Sequence, residues 1–490
     1  MNSFSFKKAS NVLLATQLFS TISFAVLYST LVLFMTQALG FSVAKASATM
    51  GVFVAFNYGL HILGGYIGGR LVSYRVLFLV GMFLQILACL FLIKPNVWNL
   101  YIALSLFLTG CGLNVPCINM MLTQQFSSDD HQREAAFFWN YAGMNVGFFI
   151  GFTIAGIFHS SQSYNILFLL TTVTNVIAFI LLSIGWNTVA DKTTPLVRKV
   201  TIVGNSILVK YNSYGLGIIL LTIIILFIAL QFPLNTNILA LIIGLCFLFM
   251  FIPIAKKQKT KAQRDKVYAY VILATFGLVF WSAYSLAPMA LTVFTQSNVD
   301  RHFLGITIPT QWFQNVNTIV IAVGGPLLPL VLVTIRKKFI FSFPMQFCFG
   351  IIFMGIGFLM LVMGVFTSGG NGYTSAIWLI LSYFFQSLGE LLIGPTGYAM
   401  IGKLATPKLQ GLMMGSWMVV TGSTSGVIAS LLSISIAHKN IDTNPLVTNS
   451  SYEGLFISLS MLAFISATIL FFIIPKVRKL ASIHKEPNTL

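Results

Sequence analysis

Acidic residues are scarce in this chain. Its 490 residues include 10 Asp and Glu against 28 Lys and Arg, and only 8% of them are charged. Soluble domains carry roughly a quarter of their residues as charges, so an ordinary soluble fold is excluded. The residues are instead 57% hydrophobic and 14% aromatic, with a mean hydropathy of +0.90. Strand-length segments of alternating polarity are missing, which argues against a membrane β-barrel. Many apolar runs reach the roughly 20 residues that cross about 30 Å of hydrocarbon as a helix. The expected class is an all-α polytopic membrane protein.

Other absences narrow the chemistry. There is no HExxH, GxSxG or Walker-A sequence, and no cluster of His, Cys and carboxylates that suggests a metal or a membrane enzyme. No cofactor is implied. The five cysteines (Cys89, Cys111, Cys117, Cys246 and Cys348) all lie within apolar runs, which favours small core residues over a disulfide framework. The first long apolar run follows Lys7 and Lys8 and has no cleavage-like end, so it is expected to be a span rather than a removable signal.

The formal charge of +18 could suggest nucleic acid, but its placement explains it otherwise. Basic residues gather between spans, as in KKQKTKAQRDK (256–266), RKK (336–338) and KVRK (476–479). With the N-terminus in the cytoplasm, only Lys45, Lys94, Arg301 and Lys439 fall on the opposite side. That asymmetry is the positive-inside rule. It places both termini in the cytoplasm of a multi-pass protein in the cell (inner) membrane, with the lipid bilayer as its partner and no nucleic acid.

Spans are expected near 11–39, 47–70, 76–94, 98–122, 135–158 and 163–186. A second set of six is expected near 268–292, 313–335, 341–367, 375–402, 410–436 and 453–475. Two more apolar runs, 214–233 and 236–255, form a hairpin about the turn QFPLNTN (231–237). The expected organisation is a six-helix bundle (1–187), a linker with an inserted transmembrane hairpin (188–266) and a second six-helix bundle (267–490), 14 spans in all. Two sets of six around a central segment suit a transporter whose cavity lies between pseudo-symmetric halves. Gly143, Gly147 and Gly151 share one helix face, and GGYIGG (64–69) is similarly small, which points to close helix packing.

Of the acidic residues, Asp129, Asp130, Glu134, Asp191, Asp265, Asp300, Asp442, Glu453 and Glu486 lie in or beside expected loops. Glu390 alone lies deep within a span. It precedes Lys403 by 13 residues, roughly 20 Å along a helix. A carboxylate there must line a water-filled cavity, pair with a cation or take up a proton. A protonated Glu that merely ties two helices is the plainer alternative, although a Gln would serve that purpose without the ionisation cost. The surrounding GELLIGPTG can bend, because Pro395 cannot donate to the carbonyl of Leu391. His61, on one face with Tyr58 and Gly65, is the other deep ionisable side chain. A lone His in a span is more often a hydrogen-bonding residue than a proton relay, so it enters only as a candidate titrating partner.

Several stretches resemble the proton-dependent oligopeptide transporter family of the major facilitator superfamily, over nearly the whole chain. AAFFWNYAGMNVGFFIG (135–151) is similar to that family's Phe-Tyr-x-x-x-Asn-x-Gly signature, with Tyr141, Asn145 and Gly147 in register. FWSAYSLAPMALTVFTQSNVDR (280–301) with IPTQWFQNVN (308–317), and GELLIGPTGYAMIGKLATPKLQGLMMGSW (389–417), resemble its seventh, eighth, tenth and eleventh helices. The resemblance implies the superfamily fold. It also implies a substrate site in which Glu390 meets a peptide's amino group, Asn145 and Asn317 hydrogen-bond its backbone, and Tyr58 and Trp417 supply aromatic walls.

Three departures stand out. QLFSTISFA (17–25) has Gln17, Ser20 and Thr21 where the family carries two Glu and an Arg. GLNVPC (112–117) has Val115 in place of a Lys, and Gly69 stands where the superfamily has an Asp, although Arg70 and Arg75 are kept. Joint loss of these groups leaves no buried charge unpaired. The expected function is secondary active transport, with proton-coupled uptake of di- or tripeptides or related amine-bearing compounds by alternating access. Protons would couple through Glu390, with His61 as a second candidate. A facilitator or exporter of another small molecule without strict coupling is the alternative, and a transport-dead receptor or assembly protein is a reading from another class.

Overall fold

The computed structural model describes residues 8–126, 132–204, 206–338, 341–406, 408–439 and 444–481. Asp129, Asp130, Asp442 and Glu486 lie outside the described residues. Among those described, 14 helices are long and apolar enough to cross a bilayer. They are α1 Lys8–Gln37, α2 Val43–Ile67, α3 Tyr74–Leu92, α4 Val97–Thr123, α5 Ala135–Ser160, α6 Tyr164–Ile184 and α7 Ile207–Gln231. The rest are α8 Pro233–Lys256, α9 Lys261–Asn298, α10 Thr310–Ile335, α11 Phe343–Phe366, α12 Ala376–Leu404, α13 Gln410–Ala437 and α14 Pro445–Leu480. Helices dominate because hydrocarbon offers peptide groups no hydrogen-bond partner of its own.

Helix ends extend past the apolar runs where a cap allows it. The Asn444 side chain accepts from the Leu446 N–H at 3.0 Å and Pro445 opens the first turn, so α14 starts well before the expected residue 453. Glu453 thus lies two turns inside a helix rather than beside a loop. Thr260 likewise accepts from the Gln263 N–H at 3.2 Å, drawing Asp265 and part of the basic linker into α9.

Several spans are interrupted. α2 breaks at Leu60, α9 has non-helical backbone at Met289 just after Pro288, and α13 widens into a π-turn over Val419–Thr424. Between α9 and α10, His302–Phe303 pairs antiparallel with Ile306–Thr307 around Leu304 and Gly305, both with positive φ (49° and 81°). Val299–Asp300 pairs in parallel with Thr374–Ser375.

The chain divides into two compact units. One contains residues 1–41 and 56–236, the other 42–55 and 237–490. The two helices of the central hairpin are therefore shared out, α7 to the first unit and α8 to the second. In the first unit, α3 and α4 enclose a core that includes Leu77, Phe78, Met82, Leu113 and Met121. In the second, Phe294 of α9 meets Tyr452 and Phe456 of α14 edge to face, with ring centres 5.0 and 5.1 Å away.

The glycine face of α5 lies directly on α1. A Cβ on Gly147 would stand 2.6 Å from the Leu18 carbonyl oxygen, whereas one on Gly143 would first meet the terminal Cδ1 of Leu14 at 2.5 Å. Backbone cannot yield as a side-chain tip can. Gly147→Ala should therefore cost about 1–3 kcal/mol of stability, and Gly143→Ala clearly less. Thermal unfolding of the two variants in detergent checks this, and equal losses would show that backbone contact does not set the spacing of α1 and α5.

Candidate functional site

In the second unit, polar groups converge on Glu390, halfway along α12 and half-buried. The Asn317 amide on α10 donates to Glu390 Oε2 at 2.7 Å and to Ser387 Oγ at 2.9 Å. The Ser387 hydroxyl donates to the Tyr383 carbonyl at 2.6 Å, which leaves its oxygen free to accept from the amide. The Tyr284 hydroxyl on α9 also hydrogen-bonds the carboxylate. These described partners are neutral, so the group is held by dipoles rather than by a cation.

Close backbone approach makes this convergence possible. A Cβ on Gly389 would stand 2.7 Å from both the Gly350 carbonyl oxygen and the Phe280 ring, so α12 packs tightly on α11 and α9 at this level. Phe280, Trp281 and Tyr284 form an aromatic group with ring centres 5.2–6.2 Å apart. The Trp281 indole nitrogen is buried without a partner. Tyr284 and Ser387 were assigned no role from the residues alone. The i, i+3 and i+4 spacing of Phe280, Trp281 and Tyr284, and of Ser387 before Glu390, is the pattern that places them on common faces.

Trp417 takes another place. It is only 2% exposed, its ring fills the notch left by Gly397 and Gly277, and it meets Phe347 at 6.1 Å. In this conformation it packs helices together.

In the first unit, Tyr58 is exposed and meets His61 edge to face at 6.0 Å. His61 opens the second segment of the broken α2. It is 8% exposed, and neither ring nitrogen has a hydrogen-bond partner. Asn145 of α5 is buried and donates to the Tyr141 carbonyl at 2.9 Å. On α1 the replacements satisfy one another. Gln17 Nε2 donates to Thr21 Oγ1 at 3.0 Å, while Thr21 and Ser20 donate to the Gln17 carbonyl at 2.7 and 3.1 Å.

Gly69 has φ +70°, a conformation that explains a glycine at this corner. With no carboxylate there, Arg75 stacks on Trp186 at 4.1 Å and donates to its carbonyl at 2.9 Å, while Arg70 lies 5.3 Å over Tyr66. Asp191, from a later loop, accepts the Tyr74 N–H at 3.1 Å and so holds the start of α3. Burial pushes its carboxyl up, opposed by that hydrogen bond and by Arg75.

A family model described as the POT family matches residues 71–446, over half of the sequence. The chain belongs to the POT family. Its 14-helix arrangement is the major facilitator fold, and members of the POT family are transporters rather than enzymes. The dipeptide and tripeptide permease A of Klebsiella pneumoniae is 24% identical, over 98% of this chain and 94% of its own length. The dipeptide and tripeptide permease B of Photorhabdus asymbiotica is 27% identical, over 92% and 91%. Among solved structures, the peptide transporter POT in complex with sulfate aligns with a TM-score of 0.81 at 23% identity, covering 98% of this chain and 97% of that one. A POT family transporter in complex with 5-aminolevulinic acid gives 0.80 at 21%, covering 97% and 98%. The POT family match begins beyond α1 and α2, so the neutral stretch around Gln17, Ser20 and Thr21 lies outside it.

Because the Asn317 amide serves both Glu390 and Ser387, Asn317→Leu should leave the buried Ser387 oxygen without its donor and Glu390 with only Tyr284 of the two named here, and cost about 1–3 kcal/mol. Ser387→Ala removes one acceptor and should cost less. Thermal midpoints in detergent measure both, and an unperturbed Asn317→Leu would mean that the amide does not hold the cluster.

Proposed function

We propose that this chain moves di- or tripeptides, or related amine-bearing compounds, inward across the cell (inner) membrane, coupled to protons through Glu390. The observation that carries this reading is a mid-span carboxylate held by the neutral donors Asn317 and Tyr284. Such a group keeps its affinity for a cation, and both a proton and a substrate ammonium answer to that need. A proton and a substrate bound from outside neutralise the site together: the amine pairs with the Glu390 carboxylate, the proton it displaces passes to a second group, for which His61 is the candidate, and alternating access carries both inward. Both are released inside, and the emptied carrier returns without the proton, with Glu390 held by its neutral donors.

The remaining roles follow the same chemistry. Asn317, once it yields a donor, and Asn145 would hydrogen-bond the peptide backbone, and Tyr58 would offer an aromatic wall. Trp417 would join that wall only after leaving its packed place. His61, buried with both nitrogens unpartnered, is the second group placed to take a proton. The names of the relatives, dipeptide and tripeptide permeases, support peptides as the substrate class. The distribution of Lys and Arg supports cytoplasmic termini.

A second reading is favoured by α1. Gln17, Ser20 and Thr21 form a closed, neutral set of hydrogen bonds and offer no cation for a peptide's carboxylate. That suits a facilitator or exporter of a less zwitterionic compound.

Uptake of labelled di- and tripeptides into proteoliposomes, with an inward proton gradient and without one, separates these readings. One pH unit supports about tenfold accumulation for each coupled proton. Gradient-dependent accumulation is expected for the native chain. Glu390→Gln should lose that accumulation while remaining folded. Downhill flux alone would establish a facilitator, and no flux of any peptide would overturn peptides as the substrate.

A further inference from the structure

A polar seam in the second unit joins three helices through residues that no substrate role accounts for. Asn237 of α8 is fully buried, and its amide donates to the Ala48 carbonyl of α2 at 2.9 Å and to Ser430 Oγ of α13 at 3.2 Å. Ser430 in turn donates to the Ser47 carbonyl of α2 at 2.9 Å. The three backbones approach closely. A Cβ on Gly51 would collide with Ser430 and stand 2.9 Å from Asn237 Nδ2. Next along the seam, Gly426 packs on Val54, and Gly244 of α8 packs on Thr424.

The α2 part of this seam is the segment 42–55, which belongs to the second unit although the chain before and after it belongs to the first. Both of its ends carry a joint. Gly40, with φ +67°, precedes it, and the break at Leu60 follows it. The segment can therefore change partners without unfolding its neighbours.

The seam is also incompletely satisfied. Asn237 Oδ1 and Ser47 Oγ are buried without partners. Orphaned polar atoms cost free energy while the helices stay together and regain hydrogen bonds when water enters. A permanent contact gains nothing from that arrangement, whereas one that must part does.

We propose that Asn237 and Ser430 form a releasable latch, supplied by the inserted helix α8, that holds segment 42–55 against α13 in one state of the transport cycle and lets it go in the other. This rests on the alternating-access reading above. With the termini cytoplasmic, the latch closes the outer face, since Lys45 marks that end of α2. Asn237 is then a positioning residue for transport, and it touches no substrate.

The latch can be tested by pulsed electron-electron distance measurements between spin labels at Lys45→Cys and Ser435→Cys, both exposed, in the full-length protein. Cys246→Ala removes the one exposed native cysteine among the five. Asn237→Leu should raise the ratio of the longer to the shorter distance population by about tenfold, the effect of losing two ordinary hydrogen bonds. Ser430→Ala should move it the same way, and Asn237→Gln should restore part of the native ratio. Native-like distributions in Asn237→Leu and Ser430→Ala, with thermal midpoints close to native, would overturn the latch. Should Asn237→Leu fail to fold, Ser430→Ala alone decides. The distances need neither peptide nor proton gradient, so failure of the peptide assignment leaves this result unaffected.

Discussion

Hydrocarbon accepts no hydrogen bonds, and the rest of this structure follows from that constraint. Each span must satisfy its peptide groups internally, so departures from regular helix are affordable only where other protein groups or water can compensate. Among the departures here are Leu60, Met289, the turn at Val419–Thr424 and Pro395. Each lies on a helix that carries a candidate functional residue or part of the seam. His61 follows the first, Tyr284 precedes the second, Trp417 and Ser430 flank the third, and Glu390 precedes the fourth.

The same constraint explains the character of the polar groups. Glu390 is held by an amide and a hydroxyl, which stabilise a carboxylate without fixing it to a permanent cation. On α1, three uncharged side chains close their hydrogen bonds within two turns, so the helix makes no electrostatic demand on its neighbours. The mid-span carboxylate thus lies in the second unit, and the candidate residues of the first are an amide, an aromatic ring and the imidazole of His61.

Much of the fold is legible in the residues because an apolar run of bilayer length admits essentially one structure. The 14 spans, their hairpin and the glycine packing of α5 all follow from that. Helix ends are less legible, since a cap such as Asn444 with Pro445 carries α14 well beyond its apolar run. The site is legible at Glu390, whose carboxylate contradicts its surroundings, and at Asn317, which bonds it. Tyr284 and Ser387 escape notice because a tyrosine and a serine are unexceptional in a span until another helix brings a carboxylate beside them. Trp417 shows the converse, because a large ring beside several glycines suits a pocket wall and a packed core equally well. The sharing of α7 and α8 between units depends on which faces meet, and two uniformly apolar helices carry little record of that.

α10 is the least buried of the 14 spans, and Pro326 and Pro329 remove two of its internal hydrogen bonds. The helix that presents Asn317 to Glu390 is therefore little buried and weakened in its own hydrogen bonding. Its own stiffness fixes its course less than that of its neighbours, and the packing around it fixes it more. The Asn317–Glu390 hydrogen bond thus joins a better-packed helix to a pliable one, and its length can change without disturbing α12.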